Sequence, residues 1–556
     1  MRKTISDFCF LSSVVCLSVF CFLPSAYANN LSITNGYIAS QDSTNDTAVI
    51  QFDISQDNSW RDAVNYDAVW VFVKYSTDGT TWHHATLSAS GTNPAGFDTG
   101  VDGDTSSGTD KDNIEIKVPA DKVGCFIQRS ENEAGTLDRD NIQITWDYGV
   151  DGVSDSSFTT TGGLTFKIFG IEMVYIPEGS FYAGDGTDEA SNAEFDQGSA
   201  PAEDDPWYIE SEDAISVTNV DNDGYYYNSG GNTGEDAAGS DFIIPASFPK
   251  GYHAFYLMKY ELTQGQYRDF LNTLTQAQQD TRTETTLSSE GASGYFVMSN
   301  GTSISYRQTI KAGPDPSDGE PYTFGCDYDD DEVLNEPGDG EWIAMNYIRW
   351  MDLAAFADWA GLRPMTELEF EKACRGKDIY PVVGEYAWGT TGIASSAYTL
   401  SNSAASNEGI ATNYSTTNGN CSYNTTDGDI NGSLRAGIFS ANGSNSGRVT
   451  SGAGYYGNME LSGNNWERVV TVGNATGRSF LGTNGNGELS SNGNADISDW
   501  PGSSSGEVTG ATGSGFRGGS WGSFTHYTRV SDRGNAAHTF TSRGSGYGGR
   551  VCRQGF

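Results

Sequence analysis

Between Arg517 and Arg553 the only charged side chains are arginines and one aspartate, Asp532, in a chain whose formal net charge is −42. The segment has a fixed outline. It opens on Arg517-Gly-Gly-Ser-Trp521, is interrupted by Arg529-Val-Ser-Asp-Arg533, and closes on Gly548-Gly549-Arg550. The two runs between these blocks, Gly522 to Thr528 and Gly534 to Tyr547, consist mostly of Gly, Ser, Thr, His, Tyr, Phe, Asn and Ala. Rings and small hydroxyl side chains supply contact area and hydrogen bonds at low entropic cost, as in antibody loops. The pattern reads as a frame of arginine and glycine that holds a presented surface.

At 556 residues the chain exceeds one ordinary core, so two or more domains are expected. Its 69 glycines outnumber its 31 lysines and arginines, and aromatics reach 12%, too many for a disordered chain. The acidity argues against nucleic acid as a partner and suits an exported protein with calcium among its ligands. Arg2 and Lys3 precede an apolar run from Phe8 to Leu23, and Ala26-Tyr-Ala28 has the form of a cleavage site. Residues 1–28 are therefore expected to be a signal peptide. No later segment is long and apolar enough to span a bilayer. The expectation is an exported protein, periplasmic, cell-surface or secreted, without membrane insertion. Of eight cysteines, Cys125, Cys326, Cys374, Cys421 and Cys552 lie beyond the signal. There is no CxxC, and one or two bridges remain open.

From 29 to 166 the pattern is strand-like. Ala48–Ile54 alternates, Ala68–Tyr75 is a buried-strand run, Asp78-Gly79 marks a hairpin turn, and Ile114–Val118 and Ile142–Trp146 continue the series. An all-β sandwich is predicted for this part. His83 and His84 are adjacent on a strand and face opposite ways, which disfavours a shared metal. A second architecture starts near Gly170. Thr263 and Gln266 form a capping box ahead of Tyr267, Phe270, Leu271 and Leu274, one helical face. A helix is predicted from Trp350 to Ala360, and Thr366 with Glu369 caps a third that Gly376 stops. Asp327, Asp329 and Asp331 alternate, but the twelve-residue calcium loop wants glycine where Glu332 stands and glutamate where Gly338 stands. A solvated acidic turn is expected there.

Five collinear blocks carry a family resemblance: Met173-Val-Tyr-Ile-Pro-Glu-Gly-Ser-Phe181, Tyr260-Glu-Leu-Thr263, Leu362-Arg-Pro-Met-Thr-Glu-Leu-Glu-Phe-Glu-Lys-Ala-Cys-Arg-Gly376, Glu460-Leu-Ser-Gly-Asn-Asn-Trp-Glu467 and Phe516-Arg-Gly-Gly-Ser-Trp521. They resemble the sulfatase-modifying-factor domain of formylglycine-generating enzymes, over 168–556. The resemblance implies an α+β, C-type-lectin-like fold, here preceded by the all-β sandwich. It also implies structural calcium, held by the side chains of Glu460 and Glu467 and the carbonyls of Gly463 and Asn465. Glu460 stands where the family commonly has asparagine. A family disulfide position matches Cys374, with a partner near Cys552.

The same resemblance locates a departure. The two copper-binding cysteines of these oxidases correspond to Ser523 and Thr528, and a hydroxyl is a poor soft-metal ligand. No copper is expected. The C-terminal outline is similar to that of variable proteins diversified by retroelements, which use the same lectin-like scaffold. The expectation is a non-catalytic binding protein that presents Ser523, Phe524, Thr525, His526, Tyr527, Thr528, His538, Phe540 and Tyr547 to a protein or glycan ligand. Oxidase activity with displaced ligands is the alternative.

Overall fold

The strand Tyr66–Ser76 is buried along its whole length because it serves two cores at once. Successive side chains on a strand point to opposite faces. Val69, Val71, Val73 and Tyr75 pack with Ile50, Phe52, Ile127, Ile144 and Trp146 of the N-terminal part. Ala68, Trp70 and Phe72 pack with Leu353, Phe356, Trp359 and other residues of the C-terminal part. In this computed structural model the described residues are 30–103, 113–159, 162–186, 194–199, 202–218, 223–227, 241–287 and 291–556. The segment 1–28 read as a signal peptide lies outside them.

The neighbouring strand Thr165–Ile176 pairs antiparallel with Tyr66–Ser76 from Thr165 opposite Ser76 to Tyr175 opposite Tyr66. Its other edge pairs, from Met173 to Ile176, with Phe255–Met258. That strand in turn pairs with Val551–Gln554 at the C-terminus. One thirteen-stranded sheet thus contains both parts of the chain. The domain boundary expected at 166–168 falls inside the strand Thr165–Ile176, while the N-terminal strands keep a buried core of their own. Other contacts also cross the join. Trp70 Nε1 donates to the Ala360 carbonyl at 2.8 Å, Asn65 Nδ2 to the Tyr456 carbonyl at 2.7 Å, and Arg553 pairs with Asp121. The fold is β-rich with a few short helices, an α+β arrangement.

The helices begin where the capping residues predict. Gln264–Leu271 follows the Thr263/Gln266 box, with Gln266 N 3.2 Å from Thr263 Oγ1 and Thr263 N 3.0 Å from Gln266 Oε1. Glu367–Arg375 follows the Thr366/Glu369 box and ends at Gly376, whose φ is 90°. Between them runs Trp350–Trp359. Tyr267, Phe270, Leu271 and Leu274 all enter the main core, as their spacing predicts.

Two local expectations change. Asp327 is not a solvated acid: Lys311 pairs with it at 2.7 Å, and also with Asp330 and Glu332. All five cysteines among the described residues are free and buried, Cys374 and Cys552 included. No helix among the described residues is long and apolar enough to cross a membrane.

Candidate functional site

Both C-terminal runs leave from a small sheet of Trp466–Val470, Ser514–Arg517 and Tyr547–Gly548. Gly518 and Gly519 turn the chain out of it with φ of 85° and 72°, a conformation that glycine adopts without penalty. At Gly515 a β-carbon would lie 1.7 Å from the Ala536 carbonyl oxygen, so the second run can cross this strand only over a glycine. Trp521 Nε1 donates to the Ser545 carbonyl at 3.1 Å and ties the two runs together.

The arginines of the frame point inward. Arg517 pairs with Glu367 and Glu371, and Arg533 with Glu367, all with side chains at 0% exposure. Arg375 joins them through Glu371, Glu385 and the Ser531 hydroxyl. Burial pushes the Glu367 carboxyl upward, but Arg533 and Arg517 outweigh it and hold the group below its ordinary value. Arg543 pairs with Asp352 and Glu284, and Arg550 with Glu467. The reversal of charge sign in this segment is therefore a set of internal counter-ions for acids carried elsewhere in the chain. Buried charges are tolerated only in such pairs.

The frame carries a continuous string of rings, exposed at Phe524 and Phe540 and buried at Trp466 and Phe516. Phe524 stacks with His526 at 6.2 Å and His526 contacts Tyr527 at 4.0 Å. Tyr527 meets Trp466 at 5.5 Å, Trp466 meets Phe516 at 6.1 Å, and Phe516 meets Tyr547 at 4.6 Å. Phe540 then links Tyr547 at 6.1 Å to His538 at 3.7 Å. Phe524 and Phe540 are 65% and 43% exposed, large values for phenylalanine. Thr525, His526, Tyr527, His538 and Tyr547 are half-buried.

Two of the nine expected contact residues are not presented. Ser523 and Thr528 are 9% and 1% exposed. Ser523 Oγ accepts from Ser520 N at 3.0 Å, and Thr528 Oγ1 donates to the Thr525 carbonyl at 2.8 Å. Their hydroxyls close the turn Thr525–Thr528 and its approach, so they support the loop from beneath. Conversely, sequence reasoning passed over Trp466 and Phe516, which join the two runs, and Tyr306, which is 46% exposed and lies 5.3 Å from the Trp521 ring. It also passed over Arg468, whose guanidinium lies 4.0 Å from the Phe516 ring centre. Trp466 and Phe516 stand in the family blocks, but nothing local places any of these residues at the site. They reach the site by long-range strand pairing.

A family model of the sulfatase-modifying factor enzyme 1-like domain matches residues 169–554. The chain belongs to this family. No curated protein matches the sequence. The match begins within the Thr165–Ile176 strand, so the sulfatase-modifying factor domain shares its sheet with the strands that precede it.

The calcium that this family implies can be tested against the residues present. Glu460 and Glu467 are buried beside Glu261. Burial pushes Glu460 up to about 7 and raises Glu467 and Glu261, with Glu467 adding to the rise in the other two. Arg550 opposes this: its Nε lies 2.8 Å from each Glu467 oxygen. Arg435 also opposes it at Glu460. Three buried carboxylates thus outnumber the guanidinium groups that offset them. Glu460 Oε1 accepts from Gly437 N at 2.9 Å, while Oε2 is buried with no hydrogen-bond partner. A stranded carboxylate oxygen in an under-neutralised interior fits a hard cation with oxygen ligands. Among the described residues, three carboxylates converge within 4.8 Å elsewhere, at Asp327, Asp329 and Asp339, where Lys311 already binds Asp327.

Proposed function

We propose that this protein is an exported, non-catalytic binding protein whose C-terminal ring surface engages a ligand. The observation that carries the reading is the state of Ser523 and Thr528. At the positions where resemblance would put copper-binding thiols, the chain has two buried hydroxyls committed to hydrogen bonds of the loop. The described cysteines lie outside the two C-terminal runs, and burial raises the thiols of Cys374, Cys421 and Cys552. Raised thiols are poor nucleophiles and poor metal ligands.

The ring surface supplies what binding needs: aromatic area on a stiff base. The burial pattern also supports diversification of 522–547 by a retroelement. Arg517 to Ser520, Val530 to Arg533 and Gly548 to Arg550 are buried, whereas Gly522, Phe524 and Thr539 to Ser542 are exposed. Variation at the exposed positions would leave the ion pairs and turns of the frame intact. Ala536 and Ala537, which are buried, would be the least free to vary.

Calcium at Glu460 and Glu467, with the carbonyls of Gly463 and Asn465, would neutralise the interior behind this surface and stiffen it. Its chemistry is charge compensation only. The test of the whole reading is incubation of the purified chain with copper(I) and a sulfatase-motif cysteine peptide, followed by mass spectrometry. No conversion of the cysteine is expected. Appearance of the aldehyde would sink the proposal in favour of an oxidase.

A further inference from the structure

Two arginines by the ring surface, the buried Arg468 beneath it and the half-buried Arg529 of the frame, differ from the arginines of the frame that pair with acids. Arg517, Arg533, Arg543, Arg550 and Arg553 each pair with a carboxylate. Arg468 and Arg529 pair with none among the described residues. Arg468 is fully buried under the rings, 4.0 Å from the Phe516 centre and 5.4 Å from that of Tyr547. Its polar contacts are two backbone carbonyls, Phe540 at 3.0 Å and Ile348 at 3.3 Å, and its Nε has no hydrogen-bond partner. Arg529 is half-buried, its Nε is likewise without a partner, and its guanidinium faces the Tyr386 hydroxyl. Burial, and then the charge of Arg529 at His526 and of Arg468 at His538, lowers both surface imidazoles. From Gly522 to Thr528 and from Gly534 to Tyr547 the sequence has no acid at all.

Resting on the binding role proposed above, we infer that the ring surface docks an acidic polypeptide segment. The donor inventory decides this. A guanidinium donates and cannot accept, so its complement is an acceptor-only group, a carboxylate. Neutral sugars offer hydroxyls that both give and take, and they bring no charge to a guanidinium held without an acid. The exposed rings of Phe524 and Phe540, with the half-exposed ones of His526, Tyr527, His538 and Tyr547, ask in addition for apolar side chains, which a polypeptide carries between its acids. The net charge of −42 does not forbid such a partner. At physiological ionic strength the screening length is about 8 Å, so a docked segment experiences the local guanidinium groups more than the distant acids.

The test is a random peptide library panned on the full chain, with binders re-measured on Phe540→Ala and Arg529→Gln. Arg529 is chosen because Arg468 is buried and stacked, so its loss would disturb the packing of the site along with its charge. Binders enriched at least twofold in Asp and Glu over the input, lost on Phe540→Ala and weakened roughly three- to tenfold on Arg529→Gln, are expected. Binders that need Phe540 but show no acid enrichment, or ignore Arg529→Gln, overturn the acidic partner and leave the binding surface standing. An oligogalacturonate that binds where acidic peptides do not overturns the polypeptide. Absence of any binder sensitive to Phe540→Ala overturns both this inference and the binding role beneath it.

Discussion

Arg517 Nη1 lies 3.0 Å from Glu367 Oε2, a bond that closes 150 residues of chain with both side chains fully buried. Arg517 belongs to the frame of the presented loops, and Glu367 opens the helix Glu367–Arg375. The same carboxylate accepts from Arg533 and from Thr471 Oγ1 and Val472 N. One acid therefore anchors both frame blocks to the scaffold. Glu367→Gln should cost about 3–5 kcal/mol, because it strands Arg533 in the interior and leaves Arg517 with Glu371 alone. Urea denaturation of wild type and variant measures this. A change under about 1 kcal/mol would mean that the network contributes little.

The rings divide into supports and contacts, and truncation should separate them. Phe516 is 2% exposed and carries Arg468 on its face. Phe516→Ala should cost about 3–5 kcal/mol through the cavity it leaves. Phe524, at 65% exposure, stacks with His526 at the outer end of the string. Phe524→Ala should stay within about 0.5 kcal/mol of wild type in stability. Equal destabilisation by both variants would contradict the division.

The stranded Glu460 oxygen makes a prediction about metal. Removing calcium with EGTA should lower the melting temperature by roughly 5 °C, and calcium at about 100 times its dissociation constant should restore some 2–3 kcal/mol. Glu460→Gln should lose this response while keeping the Arg550–Glu467 pair. A melting curve indifferent to both chelator and calcium argues that Arg550 and Arg435 suffice.

Lys74 gives the pH dependence. It is buried at the join of the two parts, donates to the Gly487 carbonyl, and lies 5.2 Å from the Trp359 ring centre. Burial lowers its pKa from 10.5 to about 7, against the pull of Glu488 and Asp358. The unfolded chain therefore binds more protons than the folded one between these values. The stability carried by this group is complete above about pH 10.5 and is lost as pH falls towards 7. Lys74→Met should gain about 1–3 kcal/mol at pH 7 and flatten the slope. An unchanged slope in Lys74→Met would assign the dependence to other groups.

Much of this protein was written locally. Thr263 with Gln266, and Thr366 with Glu369, fix two helix starts because a capping box needs only residues three apart. Gly376 ends a helix for an equally local reason. The separation of His83 from His84, one exposed and one buried, follows from strand alternation alone. The family is legible from five short blocks in order.

What the chain could not reveal from its own order was partnership across distance. The run Ala68–Tyr75 announces burial on both faces but not that one face serves a second core, so residue order alone does not show the sheet that joins the two parts. Ser523 and Thr528 have the chemistry of a contact surface and were expected on it, yet the turn they close draws them inside. The arginines of Arg517–Arg553 were visible as an anomaly of charge. Only the tertiary structure showed that most face buried acids and that Arg468 and Arg529 do not. Local hydrogen-bond geometry is encoded by neighbours in sequence, whereas the neutralisation of a buried charge depends on what the fold brings within a few ångströms of it.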